Sequence, residues 1–168
     1  SVNIGHASVA VPGMLRALEL AWQRHGSLPW PDLLEPAVEL AKSGVTANQT
    51  LVSWLGMAGK AVFFEQAESR AAFFPDGATA LQQGEFYRVP HLDRSLELIA
   101  REGADALYRG DLGEAFAREI TGNGGYVTAC DLADYQAQVR KPIILNSHGF
   151  SLALNPPLPG MKRGSQTP

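Results

Sequence analysis

Apolar positions along most of this chain recur at intervals of three and four, and only near the end does the spacing change to two. Leu15, Leu18 and Trp22 predict an amphipathic helix over 12–25, with Arg16, Glu19 and Gln23 on its other side and Gly26 as its stop. Val9-Ala10-Val11 ahead of it is a short strand or extended entry that Pro12-Gly13 ends. In "SLPWPDLLEPAVELAKSG" Pro36 interrupts the helical pattern. It lacks the N–H and crowds the preceding turn, so one helical turn over 31–35 and a fresh helix from Pro36 to Ser43 are expected. Leu33, Ala37 and Leu40 would make one face, and Gly44 would end the second helix.

Thr46 is the expected N-cap of a helix reaching Phe64, with Leu51, Trp54 or Leu55, Ala58 and Val62 inward; Gly56 and Gly59 weaken it. A shorter helix follows over 65–72, then a loop whose Pro75-Asp76-Gly77 has turn chemistry. Pro90 opens a helix carrying Leu92, Leu96 and Ile99, closed by Gly103. Asp111 and Glu114 have capping-box spacing before Leu112, Phe116 and Ile120, and Thr128 and Asp131 repeat it before Leu132 and Tyr135. Beyond that point 139–145 is extended, with Pro142 marking an edge position; 146–149 is a turn, and Phe150, Leu152 and Leu154 alternate as a half-buried strand. The fold class is therefore α+β, a predominantly helical segment with a C-terminal β-hairpin. A two-stranded hairpin is marginal in water and needs a larger sheet to join.

Bulk properties narrow the partners. With 168 residues, 45% of them hydrophobic, the chain has the size of one ordinary domain. Its net charge of −3 comes with interspersed signs and no basic stripe, so nucleic acid is not an expected partner. The apolar runs are far shorter than a membrane span. Cys130 is the one cysteine, excluding an internal disulfide, and it has no base near it in sequence to make it a nucleophile. His6, His25, His91 and His148 are scattered without metal-ligand spacing. "GNGG" at 122–125 follows a helix and reads as its cap, and "GMAGK" ending at Lys60 departs from the phosphate-loop pattern. Asn48-Gln49-Thr50 has the form of a glycosylation sequon. Neither a cofactor nor a metal is called for, and the residues taken alone assemble no nucleophile, base and oxyanion site.

The order of punctuation is more specific than any single motif. "VAVPGMLRALELAWQRHGSLPWPDLLEPAVELAKSG", "FFPDG", "HLDRSLELIAREGADALYRGDLGEAFAREI", "GGYVTACDLADYQ", "RKPI" and "NPPLPG" follow one another as in the large subunit of the gamma-glutamyltransferase (gamma-glutamyltranspeptidase) family, which the chain resembles over about residues 7–160. The resemblance implies part of an N-terminal-nucleophile hydrolase αββα sandwich. It implies a precursor that cuts itself before a threonine, whose hydroxyl then attacks a gamma-glutamyl carbonyl with its own amino group as base. Glutathione and related compounds would be donors, water or an amino acid the acceptor.

On this resemblance the nucleophilic threonine belongs to a small subunit outside this chain, and the arginine that holds the substrate carboxylate lies before residue 1. Catalytic residues expected here are therefore none. Pro12-Gly13, Leu28-Pro29-Trp30, Glu35-Pro36-Ala37, Asp131-Leu132 and Tyr135 read as scaffold. The expected organisation is a partial large-subunit domain over 1–160 and a polar tail, "MKRGSQTP", over 161–168 that departs from the family. The expected partners are the small subunit and a gamma-glutamyl substrate, and the family resemblance implies a periplasmic or secreted location. Two other readings stand beside this one: a non-catalytic remnant or binding protein, and an acylase of the same superfamily acting on another amide.

Overall fold

A computed structural model describes residues 4–64 and 66–156. It divides into two units, 1–136 and 137–168. The expected boundary at residue 160 and the tail beyond it lie outside the described residues, as does most of "NPPLPG".

The first unit is helical. A 3-10 turn at His6–Ser8 leads through the extended Val9 to α1 (Met14–His25) and α2 (Trp30–Ser43). The helix α2 is unbroken, which corrects the expected division at Pro36. Pro36 removes one bond, the one its N–H would make to Asp32, and both residues are exposed, so water can reach the freed carbonyl. The inner face of α2 is also one residue out from the expected one: Trp30, Val38 and Ala41 are buried, whereas Leu33 and Leu40 are 45% and 56% exposed. That face packs on α6 (Leu92–Glu102), where Ile99 is buried; Leu15, Trp22 and Leu34 close over the same core.

Asn48, not Thr46, caps the next helix. Its side chain accepts from the Leu51 N–H at 2.9 Å, while Thr46 lies in β1 (Val45–Thr46), paired antiparallel with β2 (Phe86–Tyr87), a pair the hydrophobic pattern did not announce. Helix α3 (Gln49–Trp54) continues through a π segment, Leu55–Gly59, into α4 (Lys60–Phe63). The two glycines flagged in sequence thus loosen the helix into the wider π turn without ending it. Leu55 is buried, with Leu51 and Phe63 packed against its cluster, and Trp54 and Val62 face outward. Helix α5 (Ala67–Phe73) is the shorter helix expected over 65–72, with Gln66 as its extended N-cap and Phe73 added at its end; Glu65 is not described.

Helices α7 (Asp105–Tyr108), α8 (Asp111–Gly122) and α9 (Ala129–Asp134) complete the unit. The α8 box does not form: Gly110 is the N-cap and Asp111 the first helical residue, with no side-chain cap. The α9 box does form, with Thr128 N–H donating to Asp131 Oδ2 at 2.8 Å and Asp131 N–H to Thr128 Oγ1 at 3.2 Å. It sets Leu132 into a cluster with Ala117, Ile120 and Val127.

The second unit contains the antiparallel hairpin of β3 (Ile143–Ser147) and β4 (Phe150–Leu154). Its turn is tighter than expected, two residues instead of four, because His148 and Gly149 both take positive φ (49° and 80°), the backbone of a type I′ turn whose twist matches the strands. The α+β reading, mostly helical with a terminal strand pair, describes the chain.

Candidate functional site

The polar residues that α1 brings inward form the most connected cluster of the helical unit. Arg16 and Glu19 were expected to face outward, yet their side chains are only 17% and 13% exposed, and Leu18, expected inside, is 56% exposed. The reason is a set of partners about ninety residues away. Arg16 donates through Nη1 to Glu19 Oε2 at 2.8 Å and through Nη2 to Asp105 Oδ1 at 2.6 Å. Its guanidinium lies 4.3 Å from the centre of the Tyr108 ring, a cation–π contact. Glu19 Oε1 accepts the Ala104 N–H at 2.7 Å. The Tyr108 hydroxyl accepts the Arg16 N–H at 3.1 Å and donates to the Pro12 carbonyl.

Tyr135 stacks on Tyr108 with ring centres 5.9 Å apart and planes 13° from parallel. Its hydroxyl lies 2.3 Å from where a β-carbon on Gly13 would be, so a larger residue after Pro12 would have to displace Tyr135. Pro12-Gly13 and Tyr135, distant in sequence, meet here with Tyr108 between them. Tyr108 and Asp105 were not singled out in the sequence, and Arg16 and Glu19 were placed on the outward face, because no local spacing marks the cluster.

The electrostatics of this cluster are internally balanced. Burial works against the charge on Arg16, but hydrogen bonds to Asp105 and Glu19 outweigh it and raise its pKa. Burial likewise raises the Tyr108 hydroxyl above the ordinary phenol value, opposed by the Arg16 N–H. A guanidinium held by two carboxylates does not offer itself to a substrate anion, and a tyrosine hydroxyl that both donates and accepts has no proton to spare. The arrangement fixes α1 against α7 and α9.

The other motif residues also pack. Trp22 Nε1 donates to the Leu28 carbonyl at 2.8 Å, Pro29 is the N-cap of α2, and Trp30 Nε1 donates to the Ile99 carbonyl at 2.9 Å from a buried position. Glu35, Pro36 and Ala37 are exposed on α2. Glu35 lines a shallow groove of about 540 Å³ between α2 and α6, crossed by Lys42, whose Nζ is 2.8 Å from Glu97 and 3.4 Å from Glu39. Hydrogen bonds to Glu97 and then Glu39 raise the Lys42 pKa. Cys130 is exposed and borders a smaller hollow with Tyr108, Gly113 and Glu114.

Among the described residues no group of three or more His, Cys, Asp or Glu side chains is placed to hold a metal. His6 is near Glu119 and Gln66, and His91 is 4.0 Å from Glu68. The glycine-rich 122–125 stretch ends α8, with Gly124 and Gly125 N–H groups bonded to Thr121 and Ile120 carbonyls. Asn48, the first residue of the sequon, spends its side-chain oxygen on the α3 cap. No helix of the described residues is long and apolar enough to cross a membrane.

The sequence model of gamma-glutamyltranspeptidase matches residues 1–161. The chain belongs to the gamma-glutamyltranspeptidase family. It is 34% identical over 152 residues to the glutathione hydrolase proenzyme of Escherichia coli K12, covering 90% of this chain and 26% of that protein. It is 35% identical over 154 residues to the acylase ACY 1 proenzyme of Pseudomonas sp. SE83, covering 92% and 27%. The crystal structure of Helicobacter pylori gamma-glutamyltranspeptidase superposes with a TM-score of 0.86 at 28% identity, over 93% of this chain and 44% of that one. This gamma-glutamyltranspeptidase-family chain thus spans about a quarter of the length of the curated relatives it matches, and its helices and strand pair correspond to part of an N-terminal-nucleophile hydrolase fold.

Proposed function

We propose that this chain is the helical middle of a gamma-glutamyltransferase-type large subunit, which acts only with a small subunit that opens on the threonine nucleophile. In the complete enzyme the threonine hydroxyl attacks the gamma-glutamyl carbonyl of glutathione or a related donor, and its own amino group takes the proton. The gamma-glutamyl group then passes to water or an amino acid. This chain supplies no catalytic group of its own. Its part is to hold the layer of helices that supports the site.

One observation carries this reading. Two of the family's motifs meet in one cluster, Pro12 and Gly13 against Tyr108 and Tyr135, and the side chains of Arg16, Glu19, Asp105 and Tyr108 there are bonded to neighbours. Family membership and two relatives called proenzymes support it further.

The test is release of the aniline from a gamma-glutamyl anilide. The purified chain should release none. A hybrid in which the matched 152-residue stretch of the E. coli glutathione hydrolase is replaced by its counterpart here should release it. Release of aniline by the purified chain alone would overturn the proposal.

The acylase relative favours a second reading, an enzyme of the same chemistry acting on another amide. The same assay with acyl anilides lacking the α-amino group, run on a hybrid built in the ACY 1 acylase, separates the two.

A further inference from the structure

Asn123 and Gly124 form the one Asn-Gly pair of the sequence. Asparagine is a labile side chain, because its amide carbon can be attacked by the backbone nitrogen of the next residue. The residue that carries this nitrogen decides how closely the two approach. Asn3, Asn48, Asn146 and Asn155 are followed by Ile4, Gln49, Ser147 and Pro156, whose side chains crowd the attack, and Pro156 has no N–H to give up. Gly124 has no β-carbon, so Asn123 is the asparagine most open to it.

The fold controls when the attack can happen. Asn123 is the C-cap of α8, with φ −108° and ψ 22°, which sets the Gly124 nitrogen across the Cα–C bond from the side chain. Three hydrogen bonds hold it there. The Gly124 N–H donates to the Thr121 carbonyl at 3.2 Å, and Asn123 Nδ2 donates to the Glu119 carbonyl and to Glu119 Oε1, both at 2.9 Å. Residues 121–124 are all exposed and two of them are glycine, and a helix end of this kind opens at little cost in free energy. Next along the chain, the Gly125 N–H bonds the carbonyl of the buried Ile120 at 2.8 Å, so the opening can stop there.

We propose that Asn123 is a site of spontaneous modification, gated by opening of the last turn of α8. In the open turn the Gly124 nitrogen gives up its proton and attacks Asn123 Cγ. The N–Cγ bond forms, the Cγ–Nδ2 bond breaks, and Nδ2 leaves as ammonia. Water then opens the five-membered imide at either carbonyl, leaving aspartate or a β-linked isoaspartate. The turn cannot reclose on its former bonds. The new carboxylate has no hydrogen to give the Glu119 carbonyl, stands beside the Glu119 carboxylate, and lies at the negative end of the α8 dipole. Glu119 Oε1 is also 3.5 Å from His6 Nε2, and Gly125 packs closely on the His6 carbonyl. The loosened helix end is therefore the one on which the His6–Ser8 turn rests. This inference does not depend on the proposed function.

Peptide mapping by mass spectrometry tests it, on the purified chain incubated in mildly alkaline buffer with and without urea. Conversion should be confined to Asn123 and should run at least roughly tenfold faster in urea, where the turn no longer restrains it. Glu119→Ala removes the side-chain acceptor and should speed conversion in buffer while leaving the rate in urea unchanged. Gly124→Ala should slow conversion in urea, where the positive φ of 82° that this position takes in the fold plays no part. Asn123→Asp should lower the urea midpoint of the chain at neutral pH. Equal rates with and without urea would overturn the gating. No conversion of Asn123 in urea, or faster conversion of Asn48 or Asn146, would overturn the site.

Discussion

The Tyr108 hydroxyl donates to the carbonyl of Pro12, 96 residues earlier in the chain. The same oxygen accepts the Arg16 N–H, so one side chain ties down both the turn before α1 and the first turn of that helix. Tyr135 backs it from the other side and occupies the space that glycine at position 13 leaves open.

Gly13→Ala should therefore destabilise the chain by about 1–3 kcal/mol, the usual cost of overpacking. The backbone at Gly13 is ordinary (φ −101°, ψ −17°), so the cost would come from collision with Tyr135 and not from the new residue's conformation. A urea-denaturation cycle with Tyr135→Leu checks this. The alanine should cost clearly less once the phenol is gone, and a cost unchanged in the double variant would show that Tyr135 is not the obstacle.

Glu19→Ala should cost about 2 kcal/mol, because it strips partners from the half-buried Arg16 and from the Ala104 N–H together. Salt should alter this loss little, since a partly buried pair is screened less than a surface one. By contrast Arg101→Ala, whose pair with Glu102 is exposed, should change stability by under about 0.5 kcal/mol. Denaturation of both variants at low and high ionic strength checks the contrast.

Asp76 supplies the clearest pH dependence. Its carboxylate accepts the Thr79 and Ala78 N–H groups at 2.6 and 2.8 Å, and these bonds, Thr79 first, lower its pKa from 3.8 to about 2. A carboxylate whose folded pKa lies below its unfolded one stabilises the fold fully above the unfolded value and loses that contribution as pH falls through the folded one. The window is thus from about pH 4 down to about pH 2. Between those limits Asp76→Asn should flatten the fall in urea midpoint seen for the unsubstituted chain. An equally steep fall in the variant would assign the acid sensitivity to other carboxylates.

What could be read in the sequence was local. The Thr128–Asp131 box, the Gly26 and Gly44 stops and the switch from helical to alternating spacing near residue 139 all depend on neighbours a few positions apart, and all are in the structure. The inward turn of Arg16 and Glu19 was hidden because periodicity assumes that charge faces water. Only contacts with Ala104, Asp105 and Tyr108 reverse that assumption, and nothing in α1 alone reports them. The α2 face was missed by one position for a related reason. Leu33, Ala37 and Leu40 are as helically spaced as Trp30, Val38 and Ala41, and packing on α6 chooses between the two stripes. Family likeness was legible in the order of the turns and caps, the same features that local chemistry determines.

Pro36 offers the last test, since it sits inside α2 where local preference argued for a break. A proline in a helix interior costs about 3 kcal/mol relative to alanine. Its restriction of the unfolded chain returns about 0.4–1 kcal/mol of that. Pro36→Ala should therefore stabilise the chain by roughly 2 kcal/mol, raising the urea midpoint, because the new N–H can bond the Asp32 carbonyl. In the hybrid enzyme the same change should leave anilide release within about twofold, since Pro36 is exposed on α2 and no polar group of the Tyr108 cluster touches it. A midpoint that stays put or falls would mean that the helix is bent around Pro36 in a way its packing on α6 requires, and the proline would then belong to the scaffold instead of being tolerated by it.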